Sequence, residues 1–307
     1  MTAAISRPRG PTRLVARQVS ELLLTRAGRW QPLVPHERIA AIVFASALGA
    51  TLAHHPFRDA ESGRWIGIEA ANRLGRPVSG AAIAESMGLP HTNVRRRAAE
   101  LVDAGLLIRE AAGFRIAERF LADERFGPAA AEDVAALTHS LSALADAGYA
   151  PAARALDAGF SVLPDGVVGR LLVAFTLRAL ETFTELYGDV TSGTIVAAIV
   201  AANVRQVTGD PRLAERYAEE DMPLPDSLRE PIGLRPLARA IDIPFETVRR
   251  RVNALVAEEV VAWKDAGVIV PTHVLLDERL LENNRRIMAH FEQLLNTLVT
   301  LAAEAHR

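Results

Sequence analysis

The chain has 307 residues and half of them are apolar, which excludes a largely disordered protein and predicts about two domains at roughly 150 residues each. It contains no cysteine, so disulfides, thiolate metal sites and a cysteine nucleophile are excluded. The net charge of −2 is divided unevenly: residues 1–154 carry 19 basic and 15 acidic side chains, and residues 155–307 carry 16 and 22. The first part is therefore positive, at +4, and the second is negative, at −6.

The N-terminus, residues 1–11, is predicted to be a basic arm. Four arginines occur up to Arg17, and no acidic residue precedes Glu21. A segment rich in proline, arginine and glycine either forms a disordered tail or lies in a narrow DNA minor groove. The arm has no apolar segment that ends in a small-residue cleavage site, so a secretory signal is not expected and the predicted location is the cytoplasm.

Two alanine-rich apolar stretches follow along the chain, at Ile39–Ala53 and Val190–Val204. Each has 15 uncharged residues, which is short of the ~20 that a membrane-spanning helix needs. We therefore predict buried core helices and no membrane partner.

A short helix, a tight turn and a longer helix are predicted between the two stretches. The first helix covers Ser79–Ser86 with Ser79 as its cap, and Gly88 is free to take the positive φ of a turn. The second helix, His91–Ala104, has its apolar residues on one face and is expected to end at Gly105. Two short strands, at 106–108 and 114–116, then predict a hairpin with glycine in its loop.

The same pattern recurs 154 residues later without a gap, which predicts an internal duplication. In the second copy Asp242 replaces Gly88, and aspartate also enters the left-handed region readily. The hairpin recurs as strands at 260–263 and 268–270, and a C-terminal helix is expected over about 277–304. The aligned identities include Pro77 with Pro231, Ala84 with Ala238, Pro90 with Pro244, Val94 with Val248, residues 95–97 with 249–251, Gly113 with Gly267, and residues 123–125 with 277–279.

The segment Ile83–Arg97, with Leu101 and residues 105–107 after it, resembles bacterial winged helix-turn-helix regulators of the MarR, GntR and IclR kinds. Residues Leu237–Val261 resemble the same pattern. The resemblance implies a mainly α fold with two tandem winged helix-turn-helix modules, each with flanking helices, related by duplication about a pseudo-twofold axis. We expect a first half at 12–150, with a first module at about 65–120, and a second half at 151–307, with a second module at about 226–275.

The resemblance implies that the protein is a sequence-specific transcription regulator of the nucleoid and not an enzyme. In such modules the second helix enters the major groove of double-stranded DNA. In that groove the hydrogen-bonding groups of arginine are complementary to guanine and those of asparagine to adenine, while threonine and arginine also bind phosphates. The implied DNA-binding residues of the first module are His91, Thr92, Asn93, Arg95, Arg96, Arg97 and Arg115, and those of the second are Phe245, Thr247, Arg249, Arg250 and Arg251.

Three alternatives remain open at this stage. The arginine triplets either contact DNA or form a solvated face, and the second module either reads DNA or only completes the fold, since Glu246 would face phosphates there. A winged-helix scaffold that binds protein through its acidic second half is the competing function.

Other partners are less well specified by the sequence. The chain either acts as a monomeric pseudo-dimer or forms a homodimer. Neither a cofactor nor a metal is expected, and adjacent His54 and His55 lack the spacing of metal ligands. Four aromatic residues either line a pocket for a small-molecule effector or pack in the core, namely Trp30, Phe44, Phe57 and Trp65.

Overall fold

The computed structural model describes residues 12–34, 38–219 and 222–307, so the predicted basic arm at 1–11 lies outside the described residues. The protein is mainly α-helical, with two small two-stranded sheets in these ranges. Within the same ranges, none of the helices has the length and apolar character needed to cross a membrane.

The first half begins with two long helices. The second of them covers the apolar stretch Ile39–Ala53 that was predicted to form a core helix, apart from its last residue. A small helical region and a hairpin follow, and another long helix ends the half. The elements are α1 (Thr12–Trp30), α2 (Arg38–Leu52), α3 (Ile68–Leu74), α4 (Gly80–Ser86), α5 (His91–Asp103), β1 (Leu107–Glu110), β2 (Gly113–Ile116), α6 (Glu118–Leu121) and α7 (Phe126–Asp146).

The second half follows the connecting helix α8 (Ala150–Asp157) and has a closely similar order of elements. Two short helices, α11 and α12, are an addition that the sequence pattern did not predict. The elements are α9 (Asp165–Tyr187), α10 (Val190–Asn203), α11 (Arg205–Gly209), α12 (Pro211–Arg216), α13 (Leu234–Ile241), α14 (Phe245–Ala257), β3 (Ala262–Lys264), β4 (Gly267–Ile269), α15 (Thr272–Leu275) and α16 (Glu278–Ala305).

Two pairs of helices begin and end 154 residues apart. Helices α5 and α14 both have 13 residues, and α6 and α15 both have four. Each hairpin also has a third strand position that the sequence did not predict. Val78 forms a β-bridge with Phe114, and Ile232, 154 residues later, forms one with Val268. The structural elements thus recur at the spacing of the sequence repeat.

The first strand of the second hairpin begins later than expected, and its second strand, β4, begins one residue earlier, at Gly267. The sequence pattern predicted the first strand at 260–263, but β3 begins at Ala262. Glu259, with φ of 59°, reverses the chain after α14 in the position that Gly105 occupies after α5. Val261 is then still hydrogen-bonded back to Leu255 of the helix, so pairing of the strands starts one residue further on.

The core divides into a central layer and two lateral clusters. The central layer consists of α1, α7, α8, α9 and α16, whose buried residues include Leu141, Leu172 and Phe291. One lateral cluster joins α2 to the first module and contains Phe44 and Leu101, while the other joins α10 to the second module and contains Leu237 and Leu255. Each module therefore has an apolar core of its own beside a shared helical layer.

The four aromatic residues that could have lined an effector pocket are separated in the structure. Trp30 and Phe44 belong to the first lateral cluster, where they make edge contacts with Phe126 and Phe120 at ring-centroid distances of 5.4 and 4.6 Å. Phe57 and Trp65 pack against the central layer, and each ring lies below an arginine. They do not form one pocket.

Candidate nucleic-acid interface

The turn between α4 and α5 has the predicted chemistry. The Ser79 hydroxyl caps α4 by accepting a hydrogen bond from the Ala82 amide at 3.1 Å. Gly88 has a φ of +58°, and Pro90 is the N-cap residue of α5, which begins at His91 as predicted. Because Leu89 closes the turn with a 2.9 Å bond to the Ala84 carbonyl, the two helices are held at a fixed angle.

The turn between α13 and α14 is built in the same way. Asp242 takes a φ of 50°, as expected for the residue that replaces Gly88, and Pro244 is the N-cap residue of α14. The Ile243 amide closes the turn with a 3.2 Å bond to the Ala238 carbonyl. Both modules therefore present a short helix, a tight turn and a longer helix.

Each longer helix buries one face and leaves the other in solvent. In α5 the buried residues are Val94, Ala98 and Leu101, and in α14 they are the aligned residues Val248, Val252 and Leu255. This spacing of four and three residues fixes which side of each helix faces outward.

The first-module residues assigned to DNA lie mostly on the outward side of α5. His91, Thr92 and Asn93 are exposed in its first turn, and Arg95 and Arg96 are exposed in the second. In the part of the chain that the structure describes, Arg95 forms no ion pair, while Arg96 reaches Glu100 at only 3.5 Å. Arg97 differs, because it is half-buried and pairs with Glu100 at 2.8 Å.

The second-module residues are more strongly engaged within the protein. Arg249 pairs with Glu246 at 2.6 Å, and Arg251 pairs with Asp189 at the start of α10 at 3.1 Å. Phe245 and Thr247 are half-buried, with the Phe245 ring below an arginine of α13. Of the three arginines, only the exposed Arg250 has no ion-pair partner among the described residues. The outward charge of α14 is thus largely neutralised.

The two hairpins carry further cationic and aromatic side chains. Arg115 is half-buried and pairs with Glu110 across the first hairpin at 2.8 Å, whereas Arg109 is exposed above the Phe114 ring. In the second hairpin Trp263 is 52% exposed. Sequence analysis missed Arg109 and Trp263, which pair across the hairpins with the buried Phe114 and Val268, so strand alternation gives no signal for their exposure.

A buried asparagine fixes each hairpin to the helices behind it. The Asn72 side chain of α3 donates to the Ile116 carbonyl at 3.2 Å. Asn203, the last residue of α10, donates to the Val268 carbonyl and accepts from the Val270 amide at 3.0 Å. The second strand of each hairpin is therefore positioned by a buried asparagine hydrogen bond, and of the two asparagines only Asn203 has both its donor and its acceptor paired.

The turn of each module is bonded to the opposite half of the chain. The Met87 carbonyl, before Gly88, accepts a 3.2 Å bond from the Val190 amide at the start of α10. Reciprocally, the Ile241 and Asp242 carbonyls accept bonds from Arg38 at the start of α2, at 2.8 and 3.2 Å. The orientation of each longer helix is thus linked to the other half.

The Gly88→Ala substitution tests this link. A Cβ at Gly88 would lie 2.5 Å from the Gly188 carbonyl oxygen and would also require alanine at positive φ. We expect a loss of about 2–4 kcal/mol in the free energy of unfolding, measured by denaturant titration.

Gly148→Ala is the matched control, since Gly148 has a φ of +84° and open space around its Cβ position. Its cost is expected to be about 1–2 kcal/mol, from backbone strain alone. Equal costs for the two variants would contradict a tight contact between the turn and the opposite half.

Comparisons of the chain with protein-family models, with curated proteins and with solved structures found no match.

Proposed function

We propose that the protein is a sequence-specific DNA-binding transcription regulator whose two modules place α5 and α14 in the major groove. The observation that carries the proposal is the outward side of α5, where hydrogen-bonding and cationic side chains are exposed directly after a capped helix and a tight turn. An α-helix fits the width of the major groove, and the side chains of arginine and asparagine can hydrogen-bond to the base edges that are exposed there.

The two modules act as a pseudo-twofold pair in this proposal, so that one chain performs the task of a dimer. Support comes from the recurrence of the elements after 154 residues, from the paired bridges at Val78 and Ile232, and from the reciprocal contacts of the two turns. Dimeric readers place their helices in major grooves about 34 Å apart. A duplicated chain fixes this spacing covalently.

The modules contribute unequally, and the first is the principal reader. Arg95 in the first module is free of ion pairs among the described residues, whereas Arg249 is held by Glu246 in the second. The second half also has a negative net charge. An asymmetric DNA site suits a reader whose two helices differ in this way.

The Glu246→Gln substitution is expected to strengthen DNA binding about fivefold, a change that corresponds to about 1 kcal/mol. The variant releases Arg249 and removes a carboxylate from the phosphate-facing end of α14. Fluorescence anisotropy measures the change in affinity, with a DNA fragment that has been selected for binding to the unaltered chain. Glu258→Gln, at the opposite end of the helix, makes the same charge change and should leave the affinity unaltered. If the two variants behave alike, α14 does not approach the DNA.

The general function is tested by selecting bound fragments from a genomic library with the full chain at low salt. Recovery of a shared sequence motif supports the proposal. If no fragment is enriched over a random pool, sequence-specific binding is contradicted.

A protein-binding scaffold is the second candidate, and one observation favours it. In the described ranges, the acidic second half exposes five large apolar side chains, namely Val162, Met222, Leu228, Trp263 and Leu276. Exposed apolar residues surrounded by charge are typical of protein interaction sites. A chain that enriches no DNA but binds a basic protein through Trp263 would favour this function.

A further inference from the structure

A cavity with a volume of about 610 Å³ lies between α1 and the second module. It is bounded by α1, the ends of α9 and α13, α10 and the first turns of α16. Its walls are therefore drawn from both halves of the chain. None of the residues assigned to DNA binding lines it.

The lining is mainly apolar with a few polar groups. Phe183, Val196 and Val200 form part of the apolar wall. Ser20, Tyr187 and Asn284 also line the cavity, and their side chains form no hydrogen bond with the described part of the protein. Small-molecule sites combine an apolar wall with a small number of polar groups in this manner.

Arg17 brings a positive charge to the cavity wall without a carboxylate partner in the described ranges. Its guanidinium donates to the Ala214 and Tyr217 carbonyls at 3.1 and 3.4 Å, and burial lowers its pKa from the ordinary value. Glu21, one helical turn away, is exposed and forms no ion pair with it. Because a half-buried cation is stabilised by a nearby negative charge, the cavity favours an anion.

The other charged residues that line the cavity are mostly positive. Arg13, Arg205 and Arg229 accompany Arg17, whereas Glu21 is the acidic residue among the lining residues. Arg229 is itself paired with Asp226 at 3.1 Å. The balance of charge around the cavity is therefore cationic.

We propose that this cavity binds a small organic anion with an apolar body, whose carboxylate pairs with Arg17 and whose hydrocarbon part packs on Phe183, Val196 and Val200. The ligand class follows from the two kinds of lining: a cation without a carboxylate partner among the described residues, and an apolar wall. An amine of the same size would meet like charge at Arg17, and an alcohol would lack the ionic contact.

The position of the cavity links occupancy to the orientation of α14. Ala240 and Ile241 line the cavity, and the Ile241 carbonyl accepts the 2.8 Å bond from Arg38 of the opposite half. A ligand that packs against the end of α13 changes this contact and, with it, the placement of the helix that follows. This regulatory step rests on the proposed DNA-binding function, whereas the ligand site does not.

Isothermal titration calorimetry of the full chain with decanoate, decylamine and decanol tests the site. We expect decanoate to bind at least tenfold more tightly than either analogue. Arg17→Met should weaken decanoate binding about tenfold or more, since a hydrogen-bonded charge pair is lost. Arg154→Met removes an exposed arginine of α8 and should have no effect.

A second variant keeps the test independent of any folding defect at Arg17. Val200→Phe fills the apolar wall without changing the charge, and it should also weaken decanoate binding, with thermal unfolding confirming a folded chain. Equal binding of decanoate and decylamine, or retained decanoate affinity in both variants, would overturn the site.

The regulatory step has its own readout. Saturating decanoate should change the affinity for a selected DNA fragment at least fivefold in the unaltered chain and leave it unchanged in Arg17→Met. Decanoate binding without any change in DNA affinity overturns the regulation but not the site. If the chain binds no DNA at all, the proposed function fails, and calorimetry still decides the site.

Discussion

Replacing both Arg95 and Arg96 with alanine is expected to weaken binding to a selected DNA site about a hundredfold. Both side chains are exposed on α5, Arg95 has no ion pair among the described residues, and the single contact of Arg96 with Glu100 is long, at 3.5 Å. These arginines therefore give up few contacts within the protein when they bind DNA. Each well-placed contact of this kind is worth about 1–3 kcal/mol.

Salt dependence separates the two roles that these arginines could have. If both hold phosphates, the slope of log affinity against log salt should decrease by about 1.8, at roughly 0.9 for each phosphate contact. If they read bases, the loss should instead be larger for the selected site than for unrelated DNA. Anisotropy titrations at several salt concentrations measure both quantities.

The control for this experiment is a double variant with the same change in net charge, Arg154→Ala with Arg279→Ala. These arginines are exposed on α8 and α16 and do not belong to the two longer helices of the modules. The control should retain nearly full affinity. An equal loss in the two double variants would mean that only the overall charge matters, and α5 would not be the reader.

Replacing Asp133 with alanine is expected to destabilise the fold by about 3–5 kcal/mol. Asp133 of α7 is buried and accepts three hydrogen bonds from α1, from Arg26 Nε at 2.7 Å, Arg29 Nε at 2.9 Å and Trp30 Nε1 at 2.7 Å. Arg26 is buried as well, and burial lowers its pKa while Asp133 acts in the opposite direction. Without the carboxylate, the buried Arg26 loses its counter-charge and the partly buried indole N–H of Trp30 loses its acceptor.

Denaturant titration followed by circular dichroism measures the effect of Asp133→Ala. Asp146→Ala is the control, because Asp146 is exposed at the end of the same helix and should change the free energy of unfolding by less than about 0.5 kcal/mol. Similar midpoints for Asp133→Ala and the unaltered chain would contradict a structural ion cluster between α1 and α7.

Local features of the fold were predictable from the sequence because they depend on residues close together in the chain. The Ser79 cap, the positive φ of Gly88 and Asp242, and the buried face of α5 follow from capping, turn chemistry and helical spacing. The two apolar stretches were correctly predicted as core helices, now α2 and α10. The mainly α class was instead implied by the family resemblance, and the structure bears it out.

Contacts between distant residues were not predictable from one sequence. The third strand position at Val78 is set by backbone pairing with Phe114, and the aligned glycine Gly113 permits it, since a Cβ there would clash with the Val78 carbonyl oxygen. The pairing of Arg251 with Asp189 likewise spans 62 positions in the chain. Periodicity carries no information about such partners.

The candidate interface was predicted only in part for the same reason. Sequence spacing correctly identifies the outward residues of α5, but it cannot distinguish an arginine that is free from one that is neutralised. Arg95 and Arg249 occupy aligned positions, and only the structure reveals that Arg249 is held by Glu246. Their unequal roles in the proposed function therefore depend on side-chain geometry.

The central claim is that one chain reads DNA with two helices, and methylation interference on a selected fragment tests it most directly. We predict two patches of interference in the major groove on one face of the duplex, about 10 base pairs apart. The patch assigned to α5 should disappear in the Arg95→Ala, Arg96→Ala variant, and the other should remain. A single patch in the unaltered chain, or interference confined to the minor groove, would contradict the claim.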